Sequence, residues 1–211
     1  ISKMSHLHFV SNQRAKERLL QLGEIEQNIQ VIGSPDFDIM SSSDLPTLDE
    51  VKERYDISFN KYSVFMYPPV TTDIDSLPSH IKETVDALIK SNLNYVVIYP
   101  NNDLGSDCIM RELNRLKNNP RFRIFPSLRF ECFLTLLKNT QFMIGNSSAG
   151  VREVPFYGIP SINLGSRQDS RAEAPSITNT KEVCVQILDA IDKALVSSFD
   201  AVHEFGKGNS D

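Results

Sequence analysis

The sequence lacks long apolar runs and a recognisable targeting signal. None of its apolar stretches approaches the roughly 18 residues that a membrane-spanning helix needs. No basic segment followed by an apolar stretch stands near its start, so a secretory signal is not recognisable. We therefore expect a protein of the cytoplasm that has no membrane partner.

Cysteine and histidine are also scarce and widely spaced. The three cysteines are Cys108, Cys132 and Cys184, and the four histidines are His6, His8, His80 and His203. Their spacing matches neither a disulfide framework nor a metal motif. We predict reduced thiols and no metal site. His6 and His8 project to the same side of a strand, so a metal there stays open as the less favoured alternative to hydrogen bonding.

Positive charge is in deficit as well. The chain has 211 residues and a formal net charge of -5, which argues against a nucleic-acid partner. Any phosphate site must then be local. Hydrophobic residues make up 40% and charged residues 23%, which fits a soluble globular protein with enough core to fold.

What the chain does have is a regular alternation of strand and helix patterns. The run 95–99 is fully apolar, as is typical of a parallel strand covered on both faces. Thr47 and Glu50 have the spacing of a helix capping box, after a polar segment 41–46 that we interpret as a linker. The pattern predicts an α/β fold with a Rossmann-like doubly wound parallel sheet.

Ligands of such sheets bind beyond the carboxyl ends of the strands. The corresponding loops are 67–73, 100–106, 126–130, 145–150 and 165–173, and they hold most of the small polar residues. We therefore expect the functional site along this edge.

The stretch 142–160 is the strongest candidate. An apolar strand at 142–144 enters a small polar turn at 145–150, and a helix is predicted to follow. Backbone N–H groups at a helix start favour phosphate, and Ser147 and Ser148 add hydroxyl donors. Glu153 is predicted about one and a half turns into the helix, where its carboxylate can accept hydrogen bonds from a sugar. An ordinary serine N-cap remains the alternative.

Three further residues stand on neighbouring loops. Asn101 has an amide that both donates and accepts, as a base or ribose requires, and Ser127 follows another strand. Arg167 can form a fork on a diphosphate or pack on a base. Each residue alone also fits a surface turn or charge. Their shared position at one sheet edge favours a nucleotide-diphosphate site.

Several motifs then show a family resemblance. They are Gly-Asn-Ser-Ser-Ala-Gly-Val-Arg-Glu at 145–153, Gly-Ser-Arg-Gln at 165–168, Pro-Val-Thr-Thr-Asp at 69–73, Tyr-Pro-Asn-Asn-Asp at 99–103 and Ser-Lys-Met-Ser-His-Leu-His at 2–8. In this order they resemble the hydrolysing UDP-N-acetylglucosamine 2-epimerases of sialic-acid biosynthesis. The resemblance implies a GT-B architecture. It also implies that residues 1–35 end an N-terminal Rossmann-like domain and that residues 36–211 form the C-terminal UDP-binding domain.

The resemblance implies a reaction in two steps. UDP leaves UDP-N-acetylglucosamine to give 2-acetamidoglucal, and water then adds to yield N-acetylmannosamine. No metal or redox cofactor is implied. The main catalytic carboxylates of the family lie in the N-terminal domain, so this chain is expected to be the C-terminal part of the enzyme, inactive alone. The full-length enzyme is expected to be a homo-oligomer.

The resemblance also assigns residues. Ser147 and Ser148 match the phosphate-binding serines, and Glu153 matches the ribose carboxylate. The remaining nucleotide contacts match Asn101, Ser127 and Arg167. One position departs from the family: Pro68 stands where the family has a histidine, and proline has no titratable group.

Three alternatives stay open. One is a sister 2-epimerase that acts on a UDP-diacetamido-trideoxyhexose of a legionaminic-type pathway. Another is a non-catalytic nucleotide-sugar-binding domain, which Pro68 favours. A GT-B glycosyltransferase is the third, and the Pro-Val-Thr-Thr and Arg-Gln motifs weigh against it.

Overall fold

The structure is a computed structural model that describes residues 2–169, 171, 173–206 and 210. Its contacts divide the chain into two compact units. The first runs to Leu45 and resumes at His203, and the second is Pro46–Val202. The division into domains at 1–35 and 36–211 stays a prediction.

The first unit is small. Its strands β1 (His8–Val10) and β2 (Ile29–Val31) pair in parallel, connected through helix α1 (Gln13–Gln21). A second helix, α2 (Asp36–Ser41), follows and was not predicted; its last residue belongs to the segment 41–46 that we interpreted as a linker. The end of the chain returns here, where the Ser34 N–H donates to the Phe205 carbonyl at 2.7 Å.

The second unit is built on a sheet of six parallel strands. They are β3 (Ser63–Met66), β4 (Tyr95–Ile98), β5 (Phe122–Phe125), β6 (Met143–Gly145), β7 (Ser161–Leu164) and β8 (Ile177–Thr180). Their order across the sheet is β5-β4-β3-β6-β7-β8. The predicted doubly wound parallel sheet is thereby confirmed. β8 was not predicted, because its Ile-Thr-Asn-Thr sequence has no apolar run and lies at the sheet edge.

Helices cover both faces of this sheet. They are α3 (Leu48–Tyr55), α4 (Leu77–Lys90), α5 (Ser106–Leu113), α6 (Phe130–Lys138), α7 (Glu153–Phe156) and α8 (Cys184–Val196). Alternate residues of a strand point to opposite faces. Phe65 packs in the core with α4, α5 and α8, whereas Val64 packs in the core with α3, α6 and α7. The capping box of Thr47 and Glu50 is confirmed at the start of α3.

The strand order reverses between β3 and β6, which is where open α/β sheets bind their ligands. At this point the Asn146 N–H donates to the Met66 carbonyl at 3.2 Å. Gly145 has a φ of 138°, and a Cβ there would lie 1.8 Å from the Met66 oxygen. Glycine is therefore required for β6 to leave the sheet so close to β3.

Among the described residues, no helix is both long and apolar enough to cross a membrane.

Candidate functional site

The polar turn after β6 is short and largely buried. Ser147 precedes a 3-10 turn, Ser148–Gly150, and its hydroxyl oxygen accepts from the Ala149 N–H at 3.4 Å. Ser148 is half-buried. The two serines therefore differ: Ser147 caps the turn, whereas no cap bond uses the Ser148 hydroxyl in the described part of the chain.

The predicted single helix through Glu153 is wrong. The chain forms the 3-10 turn first, and α7 begins only at Glu153, so this residue opens its helix rather than lying one and a half turns within it. Pro155 explains the break. A continuous helix would need an N–H at this position, whereas proline is tolerated in a first turn.

Glu153 is buried at the start of α7 although it carries a carboxylate. Its charge reaches Tyr157 on the same short helix. Burial and the negative charge of Glu153 together raise the pKa of Tyr157 to about 12. The electrostatic environment here disfavours further negative charge close to Glu153, which suits hydrogen-bond donors such as sugar hydroxyls better than phosphate.

Arg167 lies in the loop after β7 and reaches the start of the β6 turn. Its Nη1 donates to the Asn146 carbonyl at 3.0 Å, and Nε2 of Gln168 donates to the same oxygen at 2.7 Å. Since a carbonyl oxygen has two lone pairs, both hydrogen bonds fit. The loops after β6 and β7 are thereby tied together.

The guanidinium of Arg167 is partly desolvated. Burial and the neighbouring positive charge of Arg171 lower its pKa, and the charge of Asp103 opposes this. No carboxylate among the described residues forms an ion pair with it. A desolvated cation with free donors is suited to an oxyanion.

Asn101 and Ser127 meet in a different place. Both line a cavity of about 240 Å³ whose other walls are mostly apolar: Met66, Ile98, Tyr99, Pro126, Leu128, Phe130 and Phe133. The Ser106 hydroxyl donates to the Asn101 carbonyl, which fixes the loop after β4. Met66 joins the two regions, because it lines this cavity and its carbonyl accepts from the Asn146 N–H. An apolar slot with a few polar groups fits a flat heterocycle.

Beside Pro68 the structure places titratable groups that sequence reasoning missed. The Tyr67 hydroxyl donates to Oε1 of Glu182 at 3.1 Å, and burial with the charge of Glu182 raises the pKa of Tyr67. Nδ1 of His80 lies 3.8 Å from Asp73 and 4.0 Å from Glu182. Asp73, His80 and Glu182 line a cavity of about 670 Å³ at the ends of β7 and β8. No sequence signal links them, because Glu182 follows the unpredicted strand β8.

Within the described residues, no three His, Cys, Asp or Glu side chains are grouped so that they could hold a metal ion. The expectation that the protein needs no metal or cofactor stays a prediction. The six predicted UDP contacts are likewise untested as contacts, although the fold brings them to one edge of the sheet in two groups.

Comparison with known proteins identifies relatives over the whole chain. A sequence model of the family described as UDP-N-acetylglucosamine 2-epimerase matches residues 1–211. A UDP-N-acetylglucosamine 2-epimerase of Neisseria meningitidis serogroup B is 46% identical over 211 residues, which are 100% of this chain and 56% of that protein. A UDP-N,N'-diacetylbacillosamine 2-epimerase (hydrolyzing) of Legionella pneumophila is 31% identical over 196 residues, 92% of this chain and 52% of that protein.

Solved structures agree in fold. A crystal structure of UDP-GlcNAc 2-epimerase from Neisseria meningitidis bound to UDP-GlcNAc superposes with a TM-score of 0.76 at 14% identity, covering 99% of this chain and 60% of that chain. This likeness confirms the predicted GT-B type of fold. The chain spans a little over half the length of these relatives. The match of the family model along the entire chain, supported by the 46% identical relative, shows that the chain belongs to the UDP-N-acetylglucosamine 2-epimerase family.

Proposed function

We propose that this chain binds UDP and is the UDP-holding half of a hydrolysing UDP-N-acetylglucosamine 2-epimerase. The observation that carries the proposal is the junction at Asn146. Arg167, partly desolvated and without a carboxylate partner among the described residues, is bound there to the carbonyl that precedes Ser147 and Ser148. Cation, hydroxyls and backbone N–H groups at a topological switch point fit a diphosphate.

The uridine is then assigned to the remaining contacts. Its base enters the cavity beside Asn101 and Ser127, and its ribose hydroxyls donate to the Glu153 carboxylate. This arrangement uses the apolar cavity for the flat base and the buried acid for the sugar. A relative whose structure was solved bound to UDP-GlcNAc supports the same ligand class.

In the proposed reaction, UDP is eliminated from UDP-N-acetylglucosamine to give 2-acetamidoglucal. Addition of water then releases N-acetylmannosamine, which would serve sialic-acid synthesis. This chain's contribution is to hold the leaving diphosphate, whose developing charge Arg167 and the turn stabilise. We propose that the catalytic carboxylates lie outside this chain, that the chain alone does not turn over, and that the complete enzyme is a homo-oligomer.

Titration calorimetry with UDP and 2'-deoxy-UDP tests the role of Glu153. UDP should bind the wild-type chain, and Glu153→Gln should weaken it by about 1–3 kcal/mol, as for a lost hydrogen bond to a charged group. Removal of the 2'-hydroxyl should weaken binding to the wild-type chain more than binding to Glu153→Gln, because the Gln amide oxygen accepts a weaker, uncharged hydrogen bond. Glu53→Gln, at an exposed position on α3, is the matched control. If the wild-type chain binds no UDP, the proposed function is wrong.

Two other functions have specific support. The 31% identical Legionella relative, named for UDP-N,N'-diacetylbacillosamine, favours a sister epimerase acting on a diacetamido sugar nucleotide. An epimerase assay with both sugar nucleotides, on the complete protein, separates these substrates. If UDP were released only from the diacetamido substrate, the sister epimerase would replace the UDP-N-acetylglucosamine 2-epimerase as the proposed function.

Pro68 supports a non-catalytic nucleotide-sugar-binding domain, since it brings no titratable group to the loop after β3. Restoring a histidine with Pro68→His in the complete protein distinguishes this candidate. Activity that is present only in Pro68→His would indicate a decayed enzyme. Equal activity in both forms would show that the proline is compatible with turnover.

A further inference from the structure

Gln168 is a polar side chain in a place where burial is costly. It lies in the loop after β7 beside half-buried Arg167, yet only 2% of its surface is exposed. Its Nε2 donates to the Asn146 carbonyl, whereas its Oε1 is buried with no hydrogen-bond partner among the described residues. An apolar side chain of similar size would leave no such oxygen unpaired. Stability alone therefore explains this residue poorly.

The partner of Gln168 is the carbonyl that also binds Arg167. The Asn146 N–H donates to the Met66 carbonyl on β3, which anchors this residue, and the peptide unit just before its carbonyl, at the junction of β3 and β6. The Asn146 side chain is fully buried, and its amide atoms have no partners in the described part of the chain. The carbonyl alone therefore links this residue to the loop of Arg167.

One hydrogen bond leaves an arginine free to pivot about the acceptor. The amide of Gln168, on the next residue, binds the same oxygen at 2.7 Å and fixes the backbone that carries Arg167. Two bonds to one carbonyl restrain the loop where one bond would let it swing. Arg167 has five N–H donors, of which Asn146 takes one, so the others stay aimed in a fixed direction.

We infer that Gln168 is a positioning residue, which holds the Arg167 guanidinium at the diphosphate of a bound nucleoside diphosphate through their shared acceptor, the Asn146 carbonyl. The inference rests on the proposed binding of UDP. Gln168 itself does not touch the ligand, and it acts only through Arg167.

A double-mutant cycle on the chain tests this inference. Gln168→Met keeps the side-chain volume but removes the donor. UDP binding, measured by titration calorimetry, should weaken about tenfold in Gln168→Met and at least as much in Arg167→Ala, since each loses an oriented charge-assisted contact. The double variant should bind UDP no worse than Arg167→Ala, because the effect of Gln168 passes through Arg167.

Two further readouts separate positioning from a structural role. Uridine has no phosphate, so its binding, followed by ligand-observed NMR, should be the same in wild type and Gln168→Met. The melting temperature should not fall, because the substitution removes a buried unpaired oxygen. A lower melting temperature with equal losses for UDP and uridine would make Gln168 structural and would overturn the inference. Additive losses in the double variant would overturn it as well.

If Gln168→Met does not fold, Gln168→Leu serves, because it is also apolar and has no donor. The same pattern is expected from it, including the absence of any added loss of UDP affinity when it is combined with Arg167→Ala; an added loss would contradict the inference. Failure of both variants to fold would assign Gln168 to folding instead. A wild-type chain that binds no UDP would refute the proposed function itself. If the wild-type chain binds UDP but the affinity losses of the Gln168 and Arg167 variants add in the double variant, only this inference would be refuted.

Discussion

The turn after β6 and the loops after β4 and β5 lie at the same edge of one sheet, but they are built differently. In the β6 turn, Asn146 and Ser147 are buried and their backbones are fixed by neighbouring strands and by capping. In the other region, Asn101 and Ser127 are exposed at the mouth of an apolar cavity. The first region is therefore buried within the fold, whereas the polar residues of the second region lie at its surface.

This difference has a consequence for mutation. A buried residue of the β6 turn, such as Ser147, serves the fold and, in the proposed function, also the ligand, so its replacement should change both stability and binding. A residue at the mouth of the cavity has few packing contacts, so its replacement should change binding alone. The following predictions test this contrast, beginning with the largest effect.

Gly145→Ala should have the largest effect. The new Cβ would lie 1.8 Å from the Met66 oxygen at a φ of 138°, and neither backbone can move without breaking the β3–β6 pairing. We expect a loss of more than about 4 kcal/mol in the free energy of unfolding, measured by denaturant titration.

The control for this substitution is Gly23→Ala. Gly23 also has positive φ, at 79°, but the nearest atom to a Cβ there is a lysine end at 3.9 Å. Gly23→Ala should lower the free energy of unfolding by only about 1–2 kcal/mol, because alanine disfavours the left-handed backbone conformation. If the two variants were equally stable, the close approach of β6 to β3 would not be what requires the glycine.

The two adjacent serines should separate stability from binding. Ser147→Ala removes the cap of the 3-10 turn and should lower the free energy of unfolding by about 0.5–2 kcal/mol. Ser148→Ala should leave stability unchanged and weaken UDP binding by about 1 kcal/mol. Thermal unfolding and UDP titration of both variants measure this. Equal melting temperatures for the two variants would show that the cap contributes nothing.

Asn101→Ala and Ser127→Ala should have the smallest effects. Both side chains are exposed, so melting temperatures should stay within about 1 °C of wild type, in keeping with small surface effects. UDP affinity should fall by about 0.5–1 kcal/mol for each lost neutral hydrogen bond. Calorimetry with UDP and with inorganic pyrophosphate measures this, and a loss of pyrophosphate binding would place these residues at the phosphates instead.

Much of the fold was predictable because local pattern and topology agree. Five of the six strands of the large sheet follow from apolar runs between turn residues, and the parallel order follows from alternation with helices. The helix and the strand that were missed are short. α2 has only six residues, too few to show a helical period, and β8 has no apolar run. The helix through Glu153 was predicted as one piece because the effect of Pro155 on a continuous helix was overlooked.

The candidate site divides in the same way. Ser147, Ser148 and Glu153 are neighbours in sequence, so one motif identifies them together. Arg167 and Gln168 reach the same turn from 21 and 22 residues away, through hydrogen bonds to one carbonyl. The relation of Tyr67 to Glu182 spans 115 residues and depends on the unpredicted strand β8.

The sequence by itself determined the alternation of strands, turns and helices, the glycine at position 145, and which kinds of polar side chain lie at one edge of the sheet. These features depend on local backbone preference and on the period of apolar residues. Only the tertiary structure decided which groups share an acceptor, which of the two serines caps the 3-10 turn, and that Gln168 is buried. Those features depend on contacts between segments that are distant in the sequence. The strength of these contacts is set by burial and geometry, which no local sequence pattern encodes.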